Sequence, residues 1–453
     1  MKCAPMVAVI LTALFLMASE SPAEGWQIEL VDPGDDVGKY SSLALDSQDL
    51  PHIAYYNSEI LEGDLKYAHY DGSSWQTEFV DDSPDTDVGR HTSIVVDSGD
   101  FPHIAYQDYD NERLKYAVLT GAEWEVSVAD SSLCTGFSAS IALDTGDMPY
   151  ISHGNIADIG WASLNLTYWD GAQWCDEEPW LGGDADGLDN SLALDDDNNV
   201  HVSHYEGTLG QFKYAYWDGS EWYSEVITDD GPGRFTSIAL DSYGRPHISS
   251  HNADNHYLSY AYMDADSTWH VEDVCPGGYY SSLAIDSQDR PRIAHYDPDL
   301  HDLVYTYWTG SQWASYTVDS DGDVGAYTSL ALDSLEAPHI SYYNSNEESL
   351  YYAWFEYPEG TEGATGLPVS GISLSRPSPN PTSGSAEITF SAPAGRSLDL
   401  SVFDLSGRRV RRLFTGEASG TCRTVMVEGL CPGVYLCRLD SGEQAMVEKL
   451  VVH

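Results

Sequence analysis

Between Ser42 and Phe79, runs of apolar and small residues are cut by turns rich in Asp, Ser and Gly, a pattern that predicts four short strands. Leu43 and Leu45 alternate with Ser42, Ala44 and Asp46 in the first strand. Pro51–Tyr56 and Leu65–Tyr70 are apolar or aromatic on both faces, and Trp75–Phe79 follows an Asp71-Gly72 turn. Strands with two apolar faces belong in sheets packed between neighbours. A first strand with one small face suits crowding near a common axis.

Copies of this unit recur along most of the chain. The Asp that ends the first strand returns at Asp46, Asp97, Asp144, Asp195, Asp241, Asp286 and Asp333, and the Trp that opens the fourth at Trp26, Trp75, Trp124, Trp174, Trp222, Trp269 and Trp313. Four strands in about 45 to 51 residues is the period of a propeller blade. Pro51, Pro102, Pro149, Pro246, Pro291 and Pro338 each open a second strand, where a missing N–H is tolerated.

The two series are out of step at the ends. Trp26 precedes the first Asp, and Leu350–Trp354 aligns with the third strand Leu65–His69, so no fourth strand follows Asp333. With the strands lettered a to d, the chain reads d, six complete abcd units, then abc. The prediction is an all-β fold: a seven-bladed β-propeller closed by the N-terminal strand Trp26–Val31, which serves as the outer strand of the last blade. An open ring would leave two blade faces in water.

Around this core the composition shifts. Residues 1–23 read as a secretory signal, with Lys2, an apolar Ala8–Ala18 core and the small-residue site Ser21-Pro22-Ala23. That run is too short to span a membrane, and nothing later approaches the ~20 apolar residues a span needs. The propeller is expected over 24–357 and a Gly-, Thr- and Pro-rich linker over 358–371. A small all-β module follows at 372–453, with strands near Ala386–Ser391, Leu398–Asp404, Val410–Phe414, Arg423–Val427, Val434–Leu439 and Val447–Val452.

Charge divides the chain at the same place. Residues 1–371 carry 65 of the 73 acidic residues and 11 of the 20 Lys and Arg, a net of −54, whereas 372–453 nearly balance. Such a surface repels nucleic acid and anionic lipid and attracts cations. Cys134, Cys175, Cys275, Cys422, Cys431 and Cys437 follow the signal, and none has metal-type CxxC spacing. Export permits a disulfide, and a short-range pair among Cys422, Cys431 and Cys437 is expected.

The C-terminal module carries Pro379-Asn380-Pro381, then Ile388, Phe390, Val402, Asp404, Gly407-Arg408 and Val410. Leu430, Gly433-Val434-Tyr435, Arg438 and Lys449-Leu450-Val451-Val452 complete the series. In this order and spacing the residues resemble the type A C-terminal sorting domain of the type IX secretion system, an immunoglobulin-like sandwich. The resemblance implies export across a Gram-negative outer membrane, with the secretion machinery as partner and the cell surface or medium as destination. Its three cysteines depart from that pattern.

Two kinds of repeated residue could carry function. Ser42, Asp46, His52 and Trp75 recur together, resemble in kind the hydrogen-bonded tetrad of WD-repeat propellers, and are expected to lock blades. The start of strand a and the end of strand b share one face. It gathers Tyr40, His91, Phe235, Tyr280 and Tyr327 with Tyr56, His153, Asn155, His204, Glu206, His251, Asn252, His295 and Asp297. Aromatic platforms beside amide and carboxylate acceptors suit a sugar ring. The d–a loops are acidic, and Asp319, Asp321 and Asp323 are the candidate ligands for Ca²⁺, although EF-hand spacing is absent.

The expected function is a non-enzymatic, exported binding protein for glycan or protein. A glycoside hydrolase or polysaccharide lyase on the same scaffold is the alternative. Sialidases, which share a propeller fold, need an arginine cluster for the substrate carboxylate. The propeller has only Arg90, Arg113, Arg234, Arg245, Arg290 and Arg292, the last three near a–b turns on the opposite face. A glycosidase on neutral sugars needs two carboxylates ~5–10 Å apart, and the sequence singles out no such pair.

Overall fold

A computed structural model describes residues 25–356 except 35, 60–61, 83, 159–160, 180–185 and 230, and residues 373–374, 382, 385–391, 396–404, 408–418, 423–428, 430, 433–441 and 445–452. The signal stretch, the linker and Pro379-Asn380-Pro381 lie outside these residues. The described elements are all strands, and no helix is long and apolar enough to cross a membrane.

Seven antiparallel four-stranded sheets form the blades, ordered a-b-c-d. Their inner strands are Val37–Leu45, Val88–Val96, Phe137–Leu143, Leu188–Leu194, Pro232–Leu240, Tyr279–Ile285 and Val324–Leu332. In the seventh sheet Trp26–Asp32 pairs with Ser349–Phe355, Trp26 opposite Phe355 and Leu30 opposite Tyr351. The N-terminal strand therefore completes the last blade, as its out-of-step Trp predicts. Each apolar core lies between blades: Val31, Leu350 and Tyr352 of blade 7 pack with Val37, Leu43, Ile53 and Tyr55 of blade 1.

Polar seams join the blades as well. The last Ser of each a-strand motif accepts a backbone N–H from the next blade: Ile94 N–H donates to Ser42 Oγ (3.1 Å), and so on to Leu43 N–H on Ser329 Oγ (3.0 Å). All seven seams carry this bond. At the a–b turns Ser47 donates to Asp100, Ser98 to Asp147, Ser242 to Asp289 and Ser334 to Asp49, the last spanning the ring closure.

The other landmarks form separate devices. Asp46 Oδ1 caps its turn by accepting N–H bonds from Gln48 and Leu50 (2.8 and 2.9 Å). Its Oδ2 lies 3.6 Å from His52 Nε2, whose Nδ1 meets the Tyr67 hydroxyl at 2.5 Å. Trp75 stacks edge-on against Tyr352 of the preceding blade and donates to Glu29 (3.1 Å). Ser42 reaches into the next blade, so the four residues do not make one tetrad.

The C-terminal strands form a β-sandwich. Ser373–Leu374, Ser385–Ser391 and Arg423–Glu428 face the sheet Arg409–Glu417, Ser397–Asp404, Gly433–Asp440 and Ala445–Val452. Ala386, Ile388, Phe390 and Val427 from one sheet and Leu400, Val402, Cys437, Leu439 and Leu450 from the other make its core. Gly433 pairs with Val452, Tyr435 with Leu450 and Lys449 with Leu436. Cys437 is buried, and Cys422 and Cys431 lie outside the described residues.

Candidate functional site

Every inner strand begins with the same backbone irregularity. A glycine with φ between 86° and 128° (Gly38, Gly89, Gly136, Gly187, Gly233, Gly278 and Gly325) passes tightly over the preceding blade. A Cβ on Gly38 would sit 2.8 Å from Leu350 Cα. Two residues later the chain is left-handed again, and here none of the seven is glycine. Tyr40, His91, Ser138, Asp189, Phe235, Tyr280 and Tyr327 have φ of 48° to 54°.

These residues sit in a bulge. Lys39 opposes Tyr56 and Ser42 opposes Ala54, so Tyr40 and Ser41 together face the single residue Tyr55. The register shifts at the equivalent place in every a–b pair. A left-handed L-residue costs roughly 1–2 kcal/mol, and bulges re-aim side chains beside sites. Here the bulge turns one side chain per blade toward the axis.

The seven side chains line the mouth of a central cavity of about 230 Å³, with Ser41, Thr92, Ala139, Asn190, Thr236, Ser281 and Thr328 beneath them. Five are aromatic and contiguous. Centroids run Phe235–Tyr280 4.7 Å, Tyr280–Tyr327 4.7 Å, Tyr327–Tyr40 4.8 Å and Tyr40–His91 4.6 Å, with planes turned by 41° to 51°. Near-equal turns follow from repeating one conformation around seven blades. Ser138 and Asp189 leave a polar gap in this arc.

Surrounding residues fix the arc. Tyr40, Tyr280 and Tyr327 each touch the Tyr at the end of their own strand b: Tyr56, Tyr296 and Tyr343. Those hydroxyls donate to the next d–a loop, Tyr56 to Asp87 (2.9 Å), Tyr296 to Asp323 (2.8 Å) and Tyr343 to Asp36 (2.5 Å). In the layer below, Ser41 donates to the Tyr327 carbonyl (2.7 Å) and Thr236 to the Asp189 carbonyl (2.6 Å). Burial raises the pKa of Tyr40, Tyr280 and Tyr327, so their hydroxyls stay protonated. Burial, with Arg90 adjacent, pushes His91 down to about 4, leaving a neutral imidazole at pH 7.

Of the residues expected on this face, Tyr40, His91, Phe235, Tyr280 and Tyr327 reach the mouth, and Tyr56 buttresses it. His153, His204, His251 and His295 do not: they are buried, with at most 2% exposure. His204 and His295 each accept a glycine N–H at 3.2 Å, from Gly187 and Gly278, and burial pushes their pKa down to about 3 and 4. His153 also lies by a glycine N–H, that of Gly136, and His251 meets the Gly277 carbonyl. These four are blade-seam residues. Tyr55, Tyr106 and Tyr342 take the equivalent position of His153, His204 and His295, donating to Asp32, Asp81 and Asp319.

The polar strand-b ends cap their own loops. Glu206 accepts N–H bonds from Thr208 and Leu209, Asn252 from Asp254, and Asp297 from Asp299. Asn155, at the equivalent position of blade 3, is half-buried. Among the candidate calcium ligands, Asp319 accepts the Tyr342 hydroxyl and caps Asp321, and Asp323 takes Tyr296. No group of three His, Cys, Asp or Glu among the described residues is placed to hold a metal ion.

Ser138 and Asp189 were not singled out in the sequence, because they are not aromatic. The available signal is the five-residue motif Gly-x-x-(small or polar)-Ser, at Gly136–Ser140 and Gly187–Ser191 as in the other blades. The rim cations are neutralised: Lys39 pairs with Asp36, Arg90 with Asp87 and Arg234 with Asp189. Nine of the ten Lys and Arg of the described propeller pair with an aspartate, Arg113 being the tenth.

The propeller is similar to a protein of unknown function from Dyadobacter fermentans, at 12% identity over 74% of this chain and 100% of that one, TM-score 0.46. It is similar to AofleA from Arthrobotrys oligospora, at 12% identity, 67% and 94% coverage and TM-score 0.45. The NanB sialidase from Streptococcus pneumoniae matches at 12% identity, 73% and 70% coverage and TM-score 0.43. No curated protein matches the chain. Residues 378–453 match the family described as the secretion system C-terminal sorting domain. The C-terminal module is therefore a type IX sorting domain, and the chain is exported to the surface or exterior of a Bacteroidetes-type Gram-negative cell.

Proposed function

We propose that this is an exported, non-enzymatic carbohydrate-binding protein whose ligand seats in the axial mouth, against Tyr40, His91, Phe235, Tyr280 and Tyr327. The observation that carries this reading is the ring of seven left-handed, non-glycine residues. Glycine would relieve the strain at each position, yet five of the seven carry an aromatic ring aimed at one cavity. Sugar C–H faces stack on such rings, while hydroxyls find partners at Ser138 and Asp189.

Charge selects within that class. The cations beside the mouth residues, Lys39, Arg90 and Arg234, are already paired and the propeller is strongly acidic, so a neutral glycan is favoured over a uronate or sialate. Hydrolysis ordinarily takes two carboxylates, whereas among the described residues the mouth is lined by one, Asp189, itself held by Arg234. Binding without cleavage is therefore the favoured reading. A panel of neutral and anionic glycans incubated with the full chain, followed by mass spectrometry of the supernatant, tests it. Retention of a neutral glycan unchanged is the expected result. Shortened products would reverse the reading toward an enzyme, and retention of anionic glycans alone would refute the charge argument.

A further inference from the structure

We infer that the mouth is a single-occupancy cup that takes one terminal sugar unit end-on, so the protein recognises glycan chain ends and binds one per molecule. This rests on the carbohydrate reading above. The cavity is lined by two residues per blade, the left-handed residue and its successor, and by nothing deeper among the described residues. Its volume of about 230 Å³ lies below the ~300 Å³ at which sites for drug-sized ligands begin, which leaves room for one pyranose and not for a chain. Below the second layer, Ser42 and its six equivalents tie neighbouring inner strands together at 3.0–3.2 Å, so the ring stays narrow. An internal unit of a polysaccharide has chain on both sides, which a space of this volume does not admit.

The cup also has a direction. Five aromatic rings occupy consecutive blades, and the gap at blades 3 and 4 presents Ser138 and Asp189 above Ala139 and Asn190. A terminal unit lies with its C–H surface on the arc and its hydroxyls toward this gap. Because all seven blades contribute to one cup, the sevenfold repeat does not multiply the site.

The test is calorimetric titration of the full chain with homo-oligosaccharides of one to six glucose, mannose, xylose or N-acetylglucosamine units. The expected result is a stoichiometry of one, with affinity that levels off after the first one or two units. Ser138→Tyr closes the polar gap with the residue that blades 1, 6 and 7 already hold at the same φ of 52° to 54°, so the variant should fold. It should weaken binding at least tenfold. A stoichiometry of two or more, affinity that climbs through six units, or unchanged binding by Ser138→Tyr would place the glycan elsewhere and overturn the cup while leaving carbohydrate binding intact. Wild-type stoichiometry needs no variant. No binding by any of the oligosaccharides would overturn both.

Discussion

Replacing Asp81 by Ala should be among the most damaging single changes available in the propeller. Asp81, 8% exposed at the end of blade 1, accepts the hydroxyl of fully buried Tyr106 (2.7 Å) and pairs with Lys115, both from blade 2. Removing the carboxylate leaves an ammonium and a hydroxyl desolvated at a blade seam. Breaking a buried ion pair from one side costs about 3–5 kcal/mol, and an orphaned buried hydroxyl adds about 1–3. Because this seam is tight but not sealed, a total near 4 kcal/mol is a fair expectation, or roughly a 8 °C fall in Tm at ~2 °C per kcal/mol for a unit of this size. Lys115→Met in the same chain removes the stranded charge and should recover about half of the loss. Thermal and urea denaturation of wild type, both single variants and the double variant measure the coupling. A loss under ~1 kcal/mol for Asp81→Ala, or a double variant no better than the single, would refute the seam account.

Two further outcomes follow from the seams. His204 and His295 are held neutral, with pKa pushed down to about 3 and 4, while the unfolded chain titrates near 6.5. Their contribution is complete above pH ~6.5 and is lost as pH falls toward 4, because only the unfolded state gains the protons. His295→Gln, which cannot titrate, should flatten the fall of Tm between pH 6.5 and 4; an unchanged slope would show that these imidazoles do not govern it. Trp26→Ala should destabilise the fold by about 3–5 kcal/mol through lost packing against Tyr305 and Phe355, and make the first strand sensitive to limited proteolysis. Proteolysis at the wild-type rate would count against the latch.

Much of the fold was legible because a propeller repeats its landmarks. Asp46 recurs since every a–b turn needs a cap, and Trp75 recurs since six of the seven such Trp lean on a Tyr of the preceding blade, Trp222 packing with Leu164 and Leu166 instead. Trp26 out of phase disclosed the closure. The site was harder to read. Strand b is buried on both faces, as Pro102–Asp108 illustrates, so polarity does not tell seam from surface, and His204 and His295 passed for site residues. The bulge then sets two residues against one, which shifts the parity of strand a and sends Tyr40 to the axis. Asp319 and Asp323 looked like cation ligands because the tyrosines they hold lie in another blade. Ser138 and Asp189 lacked any chemical signature except the glycine two residues before each.

The central claim is that the axial arc holds the ligand. The most direct test is the affinity of the Tyr280→Gly/Tyr327→Gly double variant for the neutral glycan that wild type retains. Glycine adopts both backbone conformations without strain, so folding should be preserved and Tm should move by only a few degrees. Two stacking contacts of about 0.5–1.5 kcal/mol each predict a loss of affinity of roughly 5- to 150-fold. Equal affinity in a folded double variant would contradict the account.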